Sequence, residues 1–301
     1  MKKGIIILIV VVATAVGWIF FCHCEQTTAR LPERITLYLS EKGEIITLGC
    51  KEYLVGCLLG LDIPSCDQEA LNAAACTISS TVTYILQNNA ESTLGAKLSD
   101  KQRRWLSPSD AEEIYAEKFC EYLQKAENAA EYGMSHIMTY QRKAIYAPLC
   151  RYSTGLTDRG GYPYLSETAV DFDANAEDAI STRAFSAEKV MKSMKALTGI
   201  RALGADKNKW FSNAVYEKSG TLREIHFGAA RVTGEQLKEA FGLRSAAVTV
   251  EYSEDRFIFT SKGWGDNMGM SINSAAIMAR KGCTAEEILH FFFPSAELCA
   301  L

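Results

Sequence analysis

Residues 68–88 read QEALNAAACTISSTVTYILQN. This stretch is rich in Ala and apolar residues and predicts one long helix, which Asp67 or Ser65 can cap. Upstream, ITLYLS (35–40) alternates as a strand. EIITL (44–48) answers it across a Lys42-Gly43 turn, which is a hairpin signal. Residues 50–59 carry apolar side chains at helical spacing, Gly60 marks a break, and LDIPS (61–65) is a tight connection. Downstream, Pro108-Ser109-Asp110 starts a second long helix running to about Glu131. IMTY (137–140) and KAIYAPLC (143–150) look like strands around Gln141-Arg142. Residues 153–164 are rich in Gly, Ser and Thr and predict a loop. A helix at 186–197 opens with Ser186-Ala187-Glu188. REIHFG (223–228), AAVTVEY (246–252) and RFIFTS (256–261) read as strands, with short helices at 234–241, 274–280 and 285–291. No internal repeat appears. Helices and strands mix without a regular βαβ rhythm, so the expected fold class is α+β rather than a doubly wound sheet.

The chain has 301 residues, 48% of them apolar and 23% charged, which excludes a mostly disordered protein. Lys and Arg number 32 against 36 Asp and Glu, a net charge of −4. That balance gives no electrostatic case for nucleic acid as a partner, nor for a basic carpet on anionic lipid. Residues 4–21, GIIILIVVVATAVGWIFF, carry no charge and follow Lys2 and Lys3. About 18–20 apolar residues cross the hydrocarbon core as a helix, so this run is just long enough. Trp18 suits the interface and the lysines stay in the cytoplasm, which leaves the rest of the chain outside. A cleaved signal peptide would have a shorter apolar region and small residues at its cleavage site. Phe20, Phe21 and Cys22 stand there instead, which favours an uncleaved single-pass signal-anchor in the cell membrane and argues against a lipoprotein cysteine. The expected organisation is a cytoplasmic tip and anchor at 1–24, a linker at 25–35, one domain at 36–296 and a tail at 297–301. Ten cysteines are present, with no C-x-x-C. Most are expected to be small buried thiols, and Cys50 with Cys57 or Cys66 could form a bridge.

Several segments, in order, resemble the stage II sporulation protein D and amidase-enhancer family of bacterial envelopes. They are Lys51-Glu52-Tyr53-Leu54-Val55-Gly56, Asp62-Ile63-Pro64 and Glu69-Ala70-Leu71-Asn72-Ala73. Ile145 to Thr157 follows, then Pro163-Tyr164-Leu165, Gly242-Leu243-Arg244-Ser245, and Gly263-Trp264-Gly265 leading to Met268-Gly269-Met270-Ser271. Ala285-Glu286-Glu287-Ile288-Leu289 and Phe293-Pro294 are similar to the family's ending. The resemblance covers about residues 36–296. It implies a single α+β domain behind the anchor and partners that include peptidoglycan glycan strands, with a cell-wall amidase and other envelope proteins beside them. It implies descent from lytic transglycosylases, which cleave glycan strands stripped of peptides, in sporulation and engulfment or in wall remodelling. No cofactor is implied.

In such chemistry one carboxyl group protonates the leaving oxygen and then, as a base, helps the muramic 6-hydroxyl close a 1,6-anhydro ring. A partly apolar pocket supplies the raised pKa this acid needs. The family's acid is a Glu, and the matching residue is Asp62, one methylene shorter, with one residue fewer between Pro64 and Glu69 than the family pattern has. Other polar positions of the family fall at Ala74, Ser79, Cys150, Asp266 and Ile272, with Asn267 where Gly is usual. Catalysis is therefore expected from Asp62 or not at all, and the alternative is a non-catalytic scaffold or amidase activator. Substrate contacts are expected from Ser79, Tyr152, Ser153, Trp264, Asp266, Asn267 and Ser271, with Tyr162 as a further aromatic and Tyr164 more suited to core filling. Some family members hold zinc through His and Cys. His23, His136, His226, His290 and Cys150 fall in no ligand pattern here, and no metal site is expected.

Overall fold

The computed structural model describes residues 30–40, 42–61, 66–88, 97–99 and 105–301. The expected anchor at 4–21 and the residues 62–65, Asp62 among them, lie outside the described residues. Among the described residues no helix is long and apolar enough to cross a membrane. The fold is mixed helix and strand, and its apolar side chains gather into two main cores.

The first core is built on helices. Cys50–Gly60 forms α1, Gln68–Asn88 α2, Pro108–Tyr115 α3 and Phe119–Ser135 α4. The Ala-rich face predicted at 68–88 is explained by its neighbour. Ala126, Ala129, Ala130 and Gly133 repeat at helical spacing on α4 and are all buried. A Cβ on Gly133 would stand 2.9 Å from Cβ of Ala75, so small side chains on both helices let the axes approach closely. Glu69, in the first turn of α2, accepts a 2.7 Å hydrogen bond from the amide of Ala285, which opens α9 (Ala285–Phe292). A carboxylate at a helix N-terminus is favourable there, and it pins the two helices end to end.

The expected single helix from Pro108 is broken instead. α3 ends at Tyr115, a 3-10 turn spans Ala116–Lys118, and Ala116 sits at φ 48°. The Tyr115 hydroxyl donates to the carbonyl of Leu59 and its ring meets Tyr122 edge-on at 5.2 Å. These tertiary contacts override a run of good helix formers.

Strands Arg34–Leu39 (β1) and Glu44–Gly49 (β2) pair antiparallel as the predicted hairpin, and Lys97–Ser99 (β3) adds in parallel to β1. His136–Tyr140 (β4) turns through Gln141 and Arg142, both at positive φ, into Lys143–Ala144 (β5). The segment read as a tail is Glu297–Ala300 (β14), which pairs antiparallel with β4, so the domain runs past residue 296. Leu149–Cys150 (β6) pairs in parallel with Met270–Ser271 (β13), which leads into α8 (Ile272–Arg280).

The second core lies within residues 180–262. Ile180–Ser186 (β7), Val248–Ser253 (β11) and Arg256–Lys262 (β12) make one sheet in the order β11-β12-β7. Phe211–Tyr216 (β8), Leu222–Phe227 (β9) and Ala230–Val232 (β10) make the other, with β9 central. Phe227, Phe257, Phe259 and Trp210 fill the space with Val190 and Met194 of α6 (Ala187–Thr198) and Leu237 and Phe241 of α7 (Gly234–Phe241). Ser186 caps α6, Gly199 ends it in the left-handed region, and Thr233 with Gln236 makes a capping box on α7. A short helix, α5 (Asp171–Ala174), and the loops at 150–178 and 263–269 join the two cores.

The cysteine expectation is met in part. Cys50, Cys66, Cys76 and Cys150 are buried thiols, and Cys50, Cys57 and Cys66 form no bridge with one another. Burial pushes Cys50, Cys66 and Cys76 up to about 12 and raises Cys150 as well, with the charge of Asp173 adding to the last. A thiolate is the reactive form, so at pH 8 these four stay inert. Brief alkylation of the native chain at pH 8 is expected to modify exposed Cys120 and part-exposed Cys283 and to spare those four by peptide mass mapping.

Candidate functional site

The Gly-rich segments at 150–158 and 263–271 meet in the loops between the cores. The amide of Trp264 donates to the carbonyl of Tyr152 at 2.8 Å, and that of Arg151 returns to the carbonyl of Trp264 at 2.8 Å. Gly265 at φ 119° permits this approach, since a Cβ there would lie 2.8 Å from Cβ of Cys150. Asn267 holds the next turn at φ 56°, a conformation Asn tolerates better than most residues. Its side chain is buried. The Oδ1 accepts from the amide of Thr154 at 2.9 Å, and the Nδ2 donates to the carbonyl of Leu156 and to Asp158 Oδ2, both at 3.1 Å.

Beneath these loops sits Asp173, fully buried in α5. Its Oδ2 accepts from the amide and the hydroxyl of Ser153, both at 2.7 Å. Its Oδ1 accepts from Asn273 Nδ2 and Ser274 Oγ, both at 2.9 Å. A buried carboxylate is tolerable only when hydrogen-bonded this fully, and here it ties α5, the 150–155 loop and α8 together. Nothing in the sequence marked it, because Asp171-Phe172-Asp173 reads as any acidic loop.

Several residues expected to contact substrate therefore have framework positions. Ser153, Asn267 and Ser271 are buried, with Ser271 accepting from the amide of Ser274 to cap α8. Ser79 is fully buried in α2 and its hydroxyl meets no hydrogen-bond partner among the described residues. An unpaired buried hydroxyl costs stability, so Ser79→Ala is expected to leave the melting temperature unchanged or raise it slightly. A loss of several degrees on thermal denaturation would show that Ser79 has a partner after all. Tyr152 is largely buried behind the Trp264 bridge.

Trp264 and Asp266 are the expected contacts that reach the surface. The Trp264 ring lies 4.5 Å from the Arg151 guanidinium and 4.3 Å from that of Arg244, so two cations flank one half-buried indole. Asp266 is engaged by Lys238 of α7 at 2.5 Å, and Glu235 lies 3.1 Å from the same ammonium. Burial pulls Lys238 down, but the hydrogen bonds and charges of Asp266 and Glu235 outweigh it and hold the ammonium above its ordinary value.

A larger aromatic surface comes from residues far apart in sequence. Tyr146 lies 6.0 Å from Tyr84 and 5.3 Å from Tyr162, and Tyr164 lies 5.4 Å from Tyr162 and 5.7 Å from Tyr140. Tyr164 is buried and its hydroxyl accepts from the amide of Tyr146. The other four rings are half-buried. Burial, then the neighbouring phenols, raises Tyr162, so its hydroxyl stays neutral and able both to donate and to accept. Tyr146, Tyr162 and Tyr164 lie in segments legible in the sequence, and folding brings Tyr84 and Tyr140 to them.

Near the end of α1, Leu58, Leu59, Leu71, Tyr115, Tyr122, Ala126 and Lys125 line a shallow, mostly apolar cleft. The chain leaves α1 at Leu61 and enters the segment that contains Asp62. Burial dominates at Cys66 and raises its thiol, while the charges of Arg280 and Lys125 offset part of that rise.

No protein-family model matches the chain. It aligns over 91% of its length with stage II sporulation protein D of Bacillus amyloliquefaciens, 22% identical over 284 residues and covering 81% of that protein. It aligns equally with stage II sporulation protein D of Bacillus subtilis (strain 168), 23% identical over 288 residues and again covering 81%. These two matches support a stage II sporulation protein D-like assignment for the chain. In this sporulation-protein-D-like chain, the positions where the family pattern carries polar groups are filled or occupied. Ala74 and Ile272 are buried apolar residues, Ser79 and Cys150 are buried, and Asp266 is paired with a lysine. Cys150 directs its thiol at the carbonyl of Met270, His136 stacks on Tyr132 at 4.2 Å, and among the described residues no three His, Cys, Asp or Glu converge.

Proposed function

We propose that this chain is a membrane-anchored envelope protein that binds peptidoglycan glycan strands, in sporulation and engulfment or in wall remodelling, and that its ancestors were lytic transglycosylases. The tyrosine surface of Tyr84, Tyr140, Tyr146 and Tyr162 is the observation that carries the reading. Tyrosine offers a flat apolar face with a neutral hydroxyl at its rim and loses little conformational freedom on binding, which suits pyranose rings. Kinship with stage II sporulation protein D supports the setting, and the charge-free run at 4–21 supplies the anchor. A cell-wall amidase and other envelope proteins are the partners this reading expects.

Binding without cleavage is favoured by the filled polar positions around the loops. A second reading, cleavage with Asp62 as acid and base, rests on the carboxyl retained at that position of the sequence. The full chain in detergent micelles, mixed with intact and peptide-stripped glycan strands, separates the two. Mass spectrometry of the products reads 1,6-anhydro-muramic ends, with Asp62→Asn and Asp62→Glu alongside. Retention on the strands with no anhydro ends is expected from the natural chain. Anhydro ends that vanish in Asp62→Asn would establish cleavage, and no retention at all would overturn the glycan reading.

A further inference from the structure

The charge of the chain is unevenly divided. The second core, residues 180–262, carries fourteen Lys and Arg against nine Asp and Glu, whereas the whole chain has a net charge of −4. Several of these cations are held by carboxylates or carbonyls. Lys209, Lys218, Arg223, Arg231 and Lys238 each meet a carboxylate, and Arg183 donates to the carbonyls of Phe241 and Gly242. Arg256 and Lys262 stand singly without a carboxylate among the described residues, and the largest unpaired group is α6 and its exit. Lys189, Lys192, Lys195 and Arg201 are all exposed, and among the described residues no carboxylate pairs with any of them. Glu188 is the single acid on the helix. Four cations therefore share one exposed stretch and repel one another, a cost that a bound polyanion relieves.

The character of the partner follows from what the helix lacks and how its charges are spaced. A helix that lies in a membrane presents an apolar face to the lipid. Val190 and Met194 of α6 are buried in the second core and Leu197 is its one exposed large apolar side chain, so no continuous apolar face remains. The lysines recur every third residue, about 4.5 Å apart along the axis. A glycan strand offers at most one carboxylate per disaccharide, whereas a polyol phosphate offers one always-ionised group per small repeating unit. Lysine ammoniums are compact point charges on flexible stems, which suit a phosphodiester chain better than a planar, bidentate partner.

We propose that the exposed face of α6, with Lys189, Lys192, Lys195 and Arg201, docks a linear polyol-phosphate polymer. This site is independent of the tyrosine surface and of the glycan reading. The test titrates the full chain in detergent micelles with poly(glycerol phosphate) of defined length. Four phosphate contacts on a single-stranded polyanion weaken affinity about fiftyfold between about 50 and about 200 mM salt, and that dependence is the expected result. The triple change Lys189→Glu, Lys192→Glu, Lys195→Glu alters only exposed side chains, so folding is retained while affinity falls at least about tenfold. A control triple of equal charge on exposed lysines outside this region, Lys42→Glu, Lys118→Glu, Lys281→Glu, retains the natural affinity. Three results would overturn the proposal. They are no binding by the natural chain, equal losses in both triples, or tighter binding to peptide-stripped glycan strands than to poly(glycerol phosphate) of matched charge.

Discussion

Asp173→Ala lowers the melting temperature by about 10 °C. The carboxylate accepts four hydrogen bonds at 2.7–2.9 Å from Ser153, Asn273 and Ser274, and none of it reaches solvent. Removing it strands those donors in a dry interior, where each unsatisfied group costs about 1–3 kcal/mol, and the total comes to about 3–5 kcal/mol. At about 2–4 °C per kcal/mol for a domain of this size, that is the expected shift. Asp173→Asn keeps the volume but turns one acceptor into a donor facing other donors, so it falls between the natural chain and the Ala variant. Thermal denaturation of the three proteins side by side checks the order. An Ala variant within about 2 °C of the natural chain would mean that water enters and satisfies the donors, and that Asp173 does not hold the loops.

Gly269→Ala is expected to cost about 3 kcal/mol or more, for two separable reasons. Gly269 sits at φ 64°, where any Cβ is strained by about 1 kcal/mol. Its Cβ would also lie 2.3 Å from the carbonyl oxygen of Pro148 and 3.1 Å from the Phe293 ring. Pro148 is backbone and cannot swing away, so β13 must separate from β6 and the Met270 amide must give up its bond to that same carbonyl. Gly43→Ala isolates the first cost, because Gly43 has nearly the same φ of 67° and nothing within 4 Å of the added carbon. Urea unfolding of both variants is expected to show a loss at Gly269 at least about twice that at Gly43. Equal losses would mean that the 263–271 loop yields easily and is a poor frame for a site.

Those two residues show how much the sequence could tell. Gly269 belongs to a motif legible in order along the chain, and its role follows from a spacing that brings Met268-Gly269-Met270-Ser271 against Pro148. Asp173 belongs to no motif, and its importance exists only once α5, the Ser153 loop and α8 meet. The same contrast runs through the fold. The 35–48 hairpin and the 68–88 helix are written in local pattern and are present with nearly the expected ends. β7 and β8 carry mostly exposed residues without alternation, so no periodicity could reveal them. β14 is four residues whose pairing partner lies about 160 positions upstream. The break at Ala116 depends on Tyr115 reaching Leu59, which no helix propensity contains.

At the site, residue type was a better guide than burial. Ser153, Asn267 and Ser271 were recognisable as motif members, yet their polar groups serve the loops themselves. Tyr84 and Tyr140 carried no motif, Tyr146 stood in one without being marked as an aromatic contact, and all three join Tyr162 in one half-buried tyrosine cluster. Arg151 and Arg244 gain meaning only through the ring of Trp264 between them.

Glycan binding through the tyrosine surface is most directly tested by co-sedimentation of the full chain, in detergent micelles, with purified glycan strands. The natural chain is set beside a Tyr146→Ala, Tyr162→Ala double variant and a Tyr162→Phe variant. The account predicts that the natural chain and Tyr162→Phe sediment with the strands. The double variant, folded by circular dichroism, binds about thirtyfold more weakly, the loss expected for two stacking rings at about 1 kcal/mol each. A double variant that binds like the natural chain, or a natural chain that stays in the supernatant, would contradict it.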